Sequence, residues 1–126
     1  MELLRRLASV PPDDQATTSI TVGEMVFGAL RTSRSEDLLR RIETTALANL
    51  TILSFDYEAA VVYGRLRCEL EKRGLPVSEP DLRIASICVS RGLILVTGNV
   101  RHFRNIPGLT IENWLEAADS ESQAEE

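Results

Sequence analysis

Two short, largely apolar runs, at residues 51–55 and 93–97, constrain this chain more than any other feature, because each lies between helical patterns. Alternating hydrophobicity marks a strand with one wet face, whereas a continuous run marks a strand covered on both faces. Such strands belong to a mainly parallel sheet between helices, so the expected class is α/β with a three-layer α/β/α architecture. Residues 109–112, after the Pro107-Gly108 turn, read as a further short strand.

The helical patterns have clear ends. Val22, Met25, Val26, Ala29 and Leu30 recur at three- and four-residue spacing and form one stripe expected to face a core, capped by Ser19 or Thr21. Ser35, with Glu36 and Asp37 behind it, opens a second helix over residues 38–50, with its stripe at Leu38, Leu39, Ile42, Ala46 and Leu50. Asp56 caps a long helix carrying Ala59, Val62, Tyr63, Leu66 and Leu70, and Gly74 ends it. Ser78, with Asp81 three residues on, resembles an acidic capping box that launches a helix through Leu82, Ala85 and Val89 as far as Gly92. Residues 2–9 read as a short helical turn stopped by Pro11-Pro12, with Asp13 and Asp14 in the loop that follows. No repeat or linker interrupts the pattern, so residues 1–115 are expected to form one domain and 116–126 a flexible acidic tail.

Composition narrows the function classes. No apolar stretch approaches the ~20 residues that span a bilayer, and no secretory signal pattern is visible, so a cytoplasmic protein away from the membrane is expected. The net charge of −5 is uneven: six acids and no base occupy residues 112–126, and the remainder has 14 bases against 13 acids. Thirteen of those bases are arginine, the side chain best suited to bidentate phosphate contact, so local contacts to nucleic acid fit while a broad basic face does not. Cys68 and Cys88, twenty residues apart inside helical patterns, have no metal-ligand spacing and read as small core hydrophobes. With a single histidine, His102, and no nucleophile elbow or glycine-rich phosphate loop, chemistry has to rest on carboxylates.

Three segments place oxygen ligands beside apolar sequence: residues 20–24 with Glu24, 78–82 with Asp81, and 96–99 with Thr97 and Asn99. A carboxylate at the edge of a buried stripe is costly unless it is paired, hydrogen-bonded or bound to a cation. Mg²⁺ takes one or two carboxylates with waters and phosphate oxygens, which makes phosphoryl transfer the chemistry of such a site. In sheets of this type reactive residues gather at the carboxyl ends of strands, here at Thr97, Gly98 and Asn99.

The order of motifs is more specific than any one of them. Ile-Thr-Val-Gly-Glu-Met-Val-Phe-Gly-Ala-Leu at residues 20–30, Tyr-Gly-Arg-Leu-Arg at 63–67, Gly-Leu-Pro at 74–76, Asp-Leu-Arg-Ile-Ala-Ser at 81–86, Leu-Ile-Leu-Val-Thr-Gly-Asn-Val-Arg-His-Phe at 93–103 and Ile-Pro-Gly-Leu-Thr-Ile-Glu-Asn-Trp at 106–114 together resemble PIN-domain ribonucleases of the VapC toxin type. The resemblance covers residues 2–114. It implies a PIN-like domain that hydrolyses RNA phosphodiester bonds by Mg²⁺- or Mn²⁺-dependent attack of water. By the same resemblance Glu24, Asp81 and Asn99 are the metal-site and catalytic residues, while Thr97, Arg101 and His102 contact substrate. It also implies a homodimer neutralised by a VapB-like antitoxin. Glu79, two residues before Asp81, reads as a solvated acid, with support of the site's carboxylates as the alternative.

One departure stands out. The family opens with a hydrophobic strand ending in Asp-Thr-Asn or Asp-Ser-Asn, and nothing before Glu2 supplies it. The first central strand and its Asp are therefore expected to be absent, with two unpaired strand edges left behind. Asp13 and Asp14 sit in a proline-led loop and are not at a strand end. A second functional expectation follows from the departure: a truncated, catalytically inactive PIN-like module that dimerises or binds an antitoxin-like partner.

Overall fold

Thr18 closes one element and opens the next in the computed structural model, which describes residues 9–114. It is the last residue of strand β1 (Ala16–Thr18), and its buried hydroxyl oxygen accepts the Thr21 N–H at 3.0 Å to cap helix α1 (Ser19–Leu30). The cap is thus Thr18, in place of Ser19 or Thr21, and β1 precedes the helix where no strand was expected. Asp13 and Asp14 lie in a single 3-10 turn (Pro12–Asp14). On α1 Ala29 is buried and Val22, Met25 and Val26 are half-buried, but Leu30 is 56% exposed, so the inward stripe ends one residue early.

Helix α2 (Ser35–Arg41) is shorter than its apolar pattern suggests and runs on as one π-type turn (Ile42–Ala46). The Thr44 and Thr45 hydroxyls donate back to the Arg40 and Arg41 carbonyls, a local bonding mode that competes with regular helix. Strand β2 (Thr51–Leu53) follows and pairs in parallel with β1, Ala16 opposite Thr51 and Thr18 opposite Leu53.

Helix α3 (Tyr57–Arg73) begins and ends as its sequence requires. The Asp56 carboxylate accepts the Ala59 N–H at 2.9 Å, and Gly74 closes the helix at φ 66°, a left-handed conformation that favours glycine. Helix α4 (Glu79–Arg91) repeats the design between Ser78 and Gly92, the latter also at φ 66°. It is the most deeply set element, with Leu82 and every residue from Ile84 to Cys88 buried. Even Ser86 is enclosed there, its hydroxyl donating to the Leu82 carbonyl at 2.7 Å.

Strand β3 (Ile94–Val96), the short helix α5 (Val100–Phe103) and strand β4 (Thr110–Glu112) complete the described chain. β3 and β4 are parallel, with Leu95 opposite Ile111. The core joins Leu66 and Leu70 of α3, Leu82 and Ala85 of α4, and Phe103 and Ile106 beyond β3. Parallel pairing between helices agrees with the expected class, but among the described residues the strands form two separate two-stranded sheets, β1-β2 and β3-β4. The apolar runs are accordingly not covered on both faces: Ile52 is 47% exposed, Ile94 52% and Val96 40%. The turn at residues 2–9 lies outside the described residues except for Ser9, as does all of the tail at 116–126.

Candidate active site

Asp81 is held by the start of α4. The Ser78 hydroxyl oxygen accepts the Asp81 N–H at 3.4 Å, and Pro80 sits in the first turn, where its missing N–H costs no helical bond. The Asp81 carboxylate, only 20% exposed, lies in the positive field of that helix end. Its Oδ2 stands 3.4 Å from Nδ1 of His102 on α5. Two residues singled out separately in the sequence therefore meet in space.

The strand-to-helix turn after β3 forms the neighbouring wall. The Thr97 N–H donates to the Glu112 carbonyl at 3.1 Å, which extends the β3–β4 ladder by one bond. The Thr97 hydroxyl oxygen accepts the Asn99 N–H at 3.0 Å and so shapes the turn that leads into α5. Asn99 takes the N-cap position of α5 without a side-chain cap bond, and its carbonyl accepts the His102 N–H at 3.0 Å. Its exposed side chain remains available to solvent, as does that of Arg101 two residues on. Glu24 is exposed in the middle of α1, a helix that packs against both β1 and α4. Among the described residues no three His, Cys, Asp or Glu side chains converge closely enough to hold a metal ion by themselves.

The PIN domain family model matches residues 1–109. The chain belongs to the PIN-domain family. Within it the chain stands with the VapC proteins: it is 36% identical over 113 residues to the tRNA(fMet)-specific endonuclease VapC of Salmonella typhimurium, a match covering 90% of this chain and 85% of that protein. Ribonuclease VapC2 of Rickettsia felis is 35% identical over 99 residues, covering 79% and 73%. Among solved structures, DNA-bound VapBC from Salmonella typhimurium superposes with a TM-score of 0.74 at 40% identity, covering 77% of this chain and 73% of that one. VapBC-1 from nontypeable Haemophilus influenzae gives 0.82 at 28% identity, covering 89% and 84%.

In this PIN domain the side chain placed against the Asp81 carboxylate is the His102 imidazole. Mg²⁺ and Mn²⁺ favour oxygen ligands, and Mg²⁺ is commonly held by one or two carboxylates plus waters and phosphate oxygens. Glu24, Asp81 and Asn99 each carry oxygen donors of that kind.

A cluster that sequence reasoning missed fixes the first turn of α4. The Tyr63 hydroxyl donates to Glu79 Oε2 at 2.5 Å and accepts from Arg67 Nη1 at 2.9 Å, while Arg67 and Arg83 stand 3.3 and 3.4 Å from the same carboxylate. The Tyr63 hydroxyl, followed by the two guanidinium groups, holds the Glu79 carboxyl below its ordinary value. Tyr63 itself meets Phe55 edge to face with ring centres 5.8 Å apart, and the Arg83 guanidinium lies 5.9 Å from its ring centre. Glu79, still 46% exposed, is thus a junction between α3 and α4 as well as a solvated acid. The four-residue spacings Tyr63-Arg67 and Glu79-Arg83 were the only signal, and neither predicts the pairing across sixteen residues.

Proposed function

We propose that this chain is a VapC-type toxin endoribonuclease that hydrolyses RNA phosphodiester bonds with Mg²⁺ or Mn²⁺, and that it is neutralised by a VapB-like antitoxin. Membership of the PIN family carries the reading, supported by relatives named as ribonucleases and by neighbours solved as VapBC complexes. No helix of the described residues is long and apolar enough to cross a membrane.

In this reading Glu24 and Asp81 hold the cation and Asn99 adds a neutral ligand or orients water. A divalent cation bound there lowers the pKa of its water and neutralises charge on the phosphate. Asp81 suits the role because its carboxylate sits at the start of α4 with 20% of its side-chain surface open to solvent. Arg101, exposed on α5 beside His102, pairs with backbone phosphate, and the Thr97 hydroxyl holds the turn that carries Asn99. In the net step water adds to phosphorus and the bond to one ester oxygen breaks, leaving a phosphomonoester and a free hydroxyl.

A second reading rests on one observation: the described residues contain no group of three His, Cys, Asp or Glu side chains placed to hold a metal. It makes the chain a non-catalytic module that pairs with itself or with an antitoxin. Cleavage of mixed RNA by the purified chain with Mg²⁺, with Mn²⁺ and with EDTA, beside Glu24→Ala and Asp81→Ala, separates the two. Metal-dependent cleavage lost in both variants supports the enzyme. Absence of cleavage, or cleavage equal in the variants, removes catalysis and leaves the binding module.

A further inference from the structure

The first turn of α4, which carries Asp81, is weakly held by its own cap. The Ser78 hydroxyl oxygen lies 3.4 Å from the Asp81 N–H, against 2.9 Å for the Asp56 cap of α3 and 3.0 Å for the Thr18 cap of α1. Hydrogen bonds of this kind span about 2.7–3.2 Å. Pro80 brings no N–H, and the opening N–H groups of a helix lack an intrahelical acceptor. The bond that closes the turn runs from the Leu82 N–H to the Ser78 carbonyl at 2.9 Å. Asp81 lies within that turn, so its aim depends on what else grips it.

The grip comes from α3 through Glu79, whose carboxylate receives the Tyr63 hydroxyl at 2.5 Å and stands near Arg67 and Arg83. Arg83 belongs to α4 itself and cannot tie it to α3. Arg67 is half-exposed and shared with Glu71 at 3.1 Å, and an exposed pair between long side chains fixes geometry poorly because water screens it and both stems must be ordered. Tyr63 differs from both. Its half-buried ring packs on the core and meets Phe55 edge to face, which leaves the hydroxyl at a fixed place on α3.

An α-helix turns about 100° per residue, so Glu79 and Asp81 project about 200° apart. Holding Glu79 against α3 therefore turns Asp81 to the opposite side, toward α5, where its Oδ2 stands 3.4 Å from Nδ1 of His102. We propose that Tyr63 is a positioning residue of the site: through Glu79 its hydroxyl sets the rotation of the first turn of α4, and with it the aim of the Asp81 carboxylate. The consequence for metal rests on the reading in which Asp81 holds the cation.

The test uses the full 126-residue chain and Tyr63→Phe, which removes the hydroxyl, keeps the ring and changes no charge, so that an effect at Asp81 reads geometry. Gly92→Ala, at the far end of the same helix, controls for general loss of stability. His102 is the single histidine, so its ring proton signals are unambiguous and report the Asp81 contact without metal. At one fixed pH, Tyr63→Phe is expected to move them toward their positions in Asp81→Asn, and Gly92→Ala to leave them in place. Mn²⁺ is then titrated by electron paramagnetic resonance in a His102→Ala background, where release of the imidazole cannot mask a loss. Tyr63→Phe is expected to weaken binding there by about threefold or more, and Gly92→Ala to leave it unchanged. Ring signals unmoved in Tyr63→Phe, or moved equally in Gly92→Ala, overturn the proposal. So does a smaller loss of Mn²⁺ affinity in Tyr63→Phe where the parent's binding depends on Asp81. If Asp81→Asn takes up Mn²⁺ as well as the parent, the metal reading of the site fails instead, and the ring signals alone decide the role of Tyr63.

Discussion

His102 and Asp81 meet across the top of the fold, Nδ1 to Oδ2 at 3.4 Å, although twenty-one residues separate them in sequence. The imidazole is 59% exposed and the carboxylate 20% exposed, so the histidine is the solvent-side partner of a more enclosed acid. A cation that binds Asp81 has to compete with that contact.

The competition has a measurable consequence. Contacts with a partner this exposed are typically worth ~0.2–1 kcal/mol, which corresponds to a change of at most about fivefold in an equilibrium constant. His102→Ala is therefore expected to tighten Mn²⁺ binding by up to about fivefold, and Asp81→Asn to weaken it severely. Titration of Mn²⁺ by electron paramagnetic resonance reads both; unchanged affinity in His102→Ala means that the imidazole does not guard the carboxylate.

Much of the framework around that pair was legible because it is encoded locally. Asp56 and Ser78 as caps, Gly74 and Gly92 as helix stops, and the apolar centre of β3 all depend on residues within one turn of each other. β1 was not legible, because Ala16-Thr17-Thr18 has no apolar run and becomes a strand only through its ladder to Thr51–Leu53. The same limit hid the Glu79 junction, whose partner Tyr63 lies on a different helix. The split sheet is a third case: the exposure of Ile94 and Val96 depends on what stands beside β3, which the run at 93–97 does not encode. Glu24 and Asn99 were picked out by motif order, and their local geometry, an exposed helix position and a turn, carries no signature of its own.

Glu79 links the two long helices in a pH-dependent way. Its carboxyl lies below the ordinary 4.5 because the Tyr63 hydroxyl, then Arg67 and Arg83, favour the charged form. A carboxyl depressed in the folded state contributes stability that is complete above its unfolded value and is lost as pH falls through the folded one. Glu79→Gln is expected to lower Tm at pH 7, and the gap between variant and parent is expected to narrow once pH falls below 4.5. Thermal unfolding at a series of pH values from 7 to 3 tests this; a gap independent of pH assigns the loss to shape and not to charge.

Glycine substitutions are expected to have opposite signs at two positions. Gly92 ends α4 at φ 66° with nothing within 4 Å of an added Cβ, so Gly92→Ala meets no clash but forces alanine into a left-handed conformation. The expected loss is about 1–2 kcal/mol. Gly28 lies inside α1 with equally open space, where alanine reduces unfolded-state entropy and favours helix, for an expected gain of about 0.4–1 kcal/mol. Urea unfolding of the two variants compares them directly, and a destabilised Gly28→Ala shows that this face of α1 is already covered.

The two cysteines, both free, are expected to separate cleanly by reactivity. Cys68 is exposed on α3, against the expectation of a core position, whereas Cys88 is buried on α4, where burial pushes its thiol up to about 11. At pH 8 a thiol with that value is about one part in a thousand thiolate, the reactive form. Ellman titration of the native chain is therefore expected to show one fast thiol per molecule and a second only in denaturant, with Cys68→Ser removing the fast phase. Two fast thiols in the native chain mean that α4 opens readily.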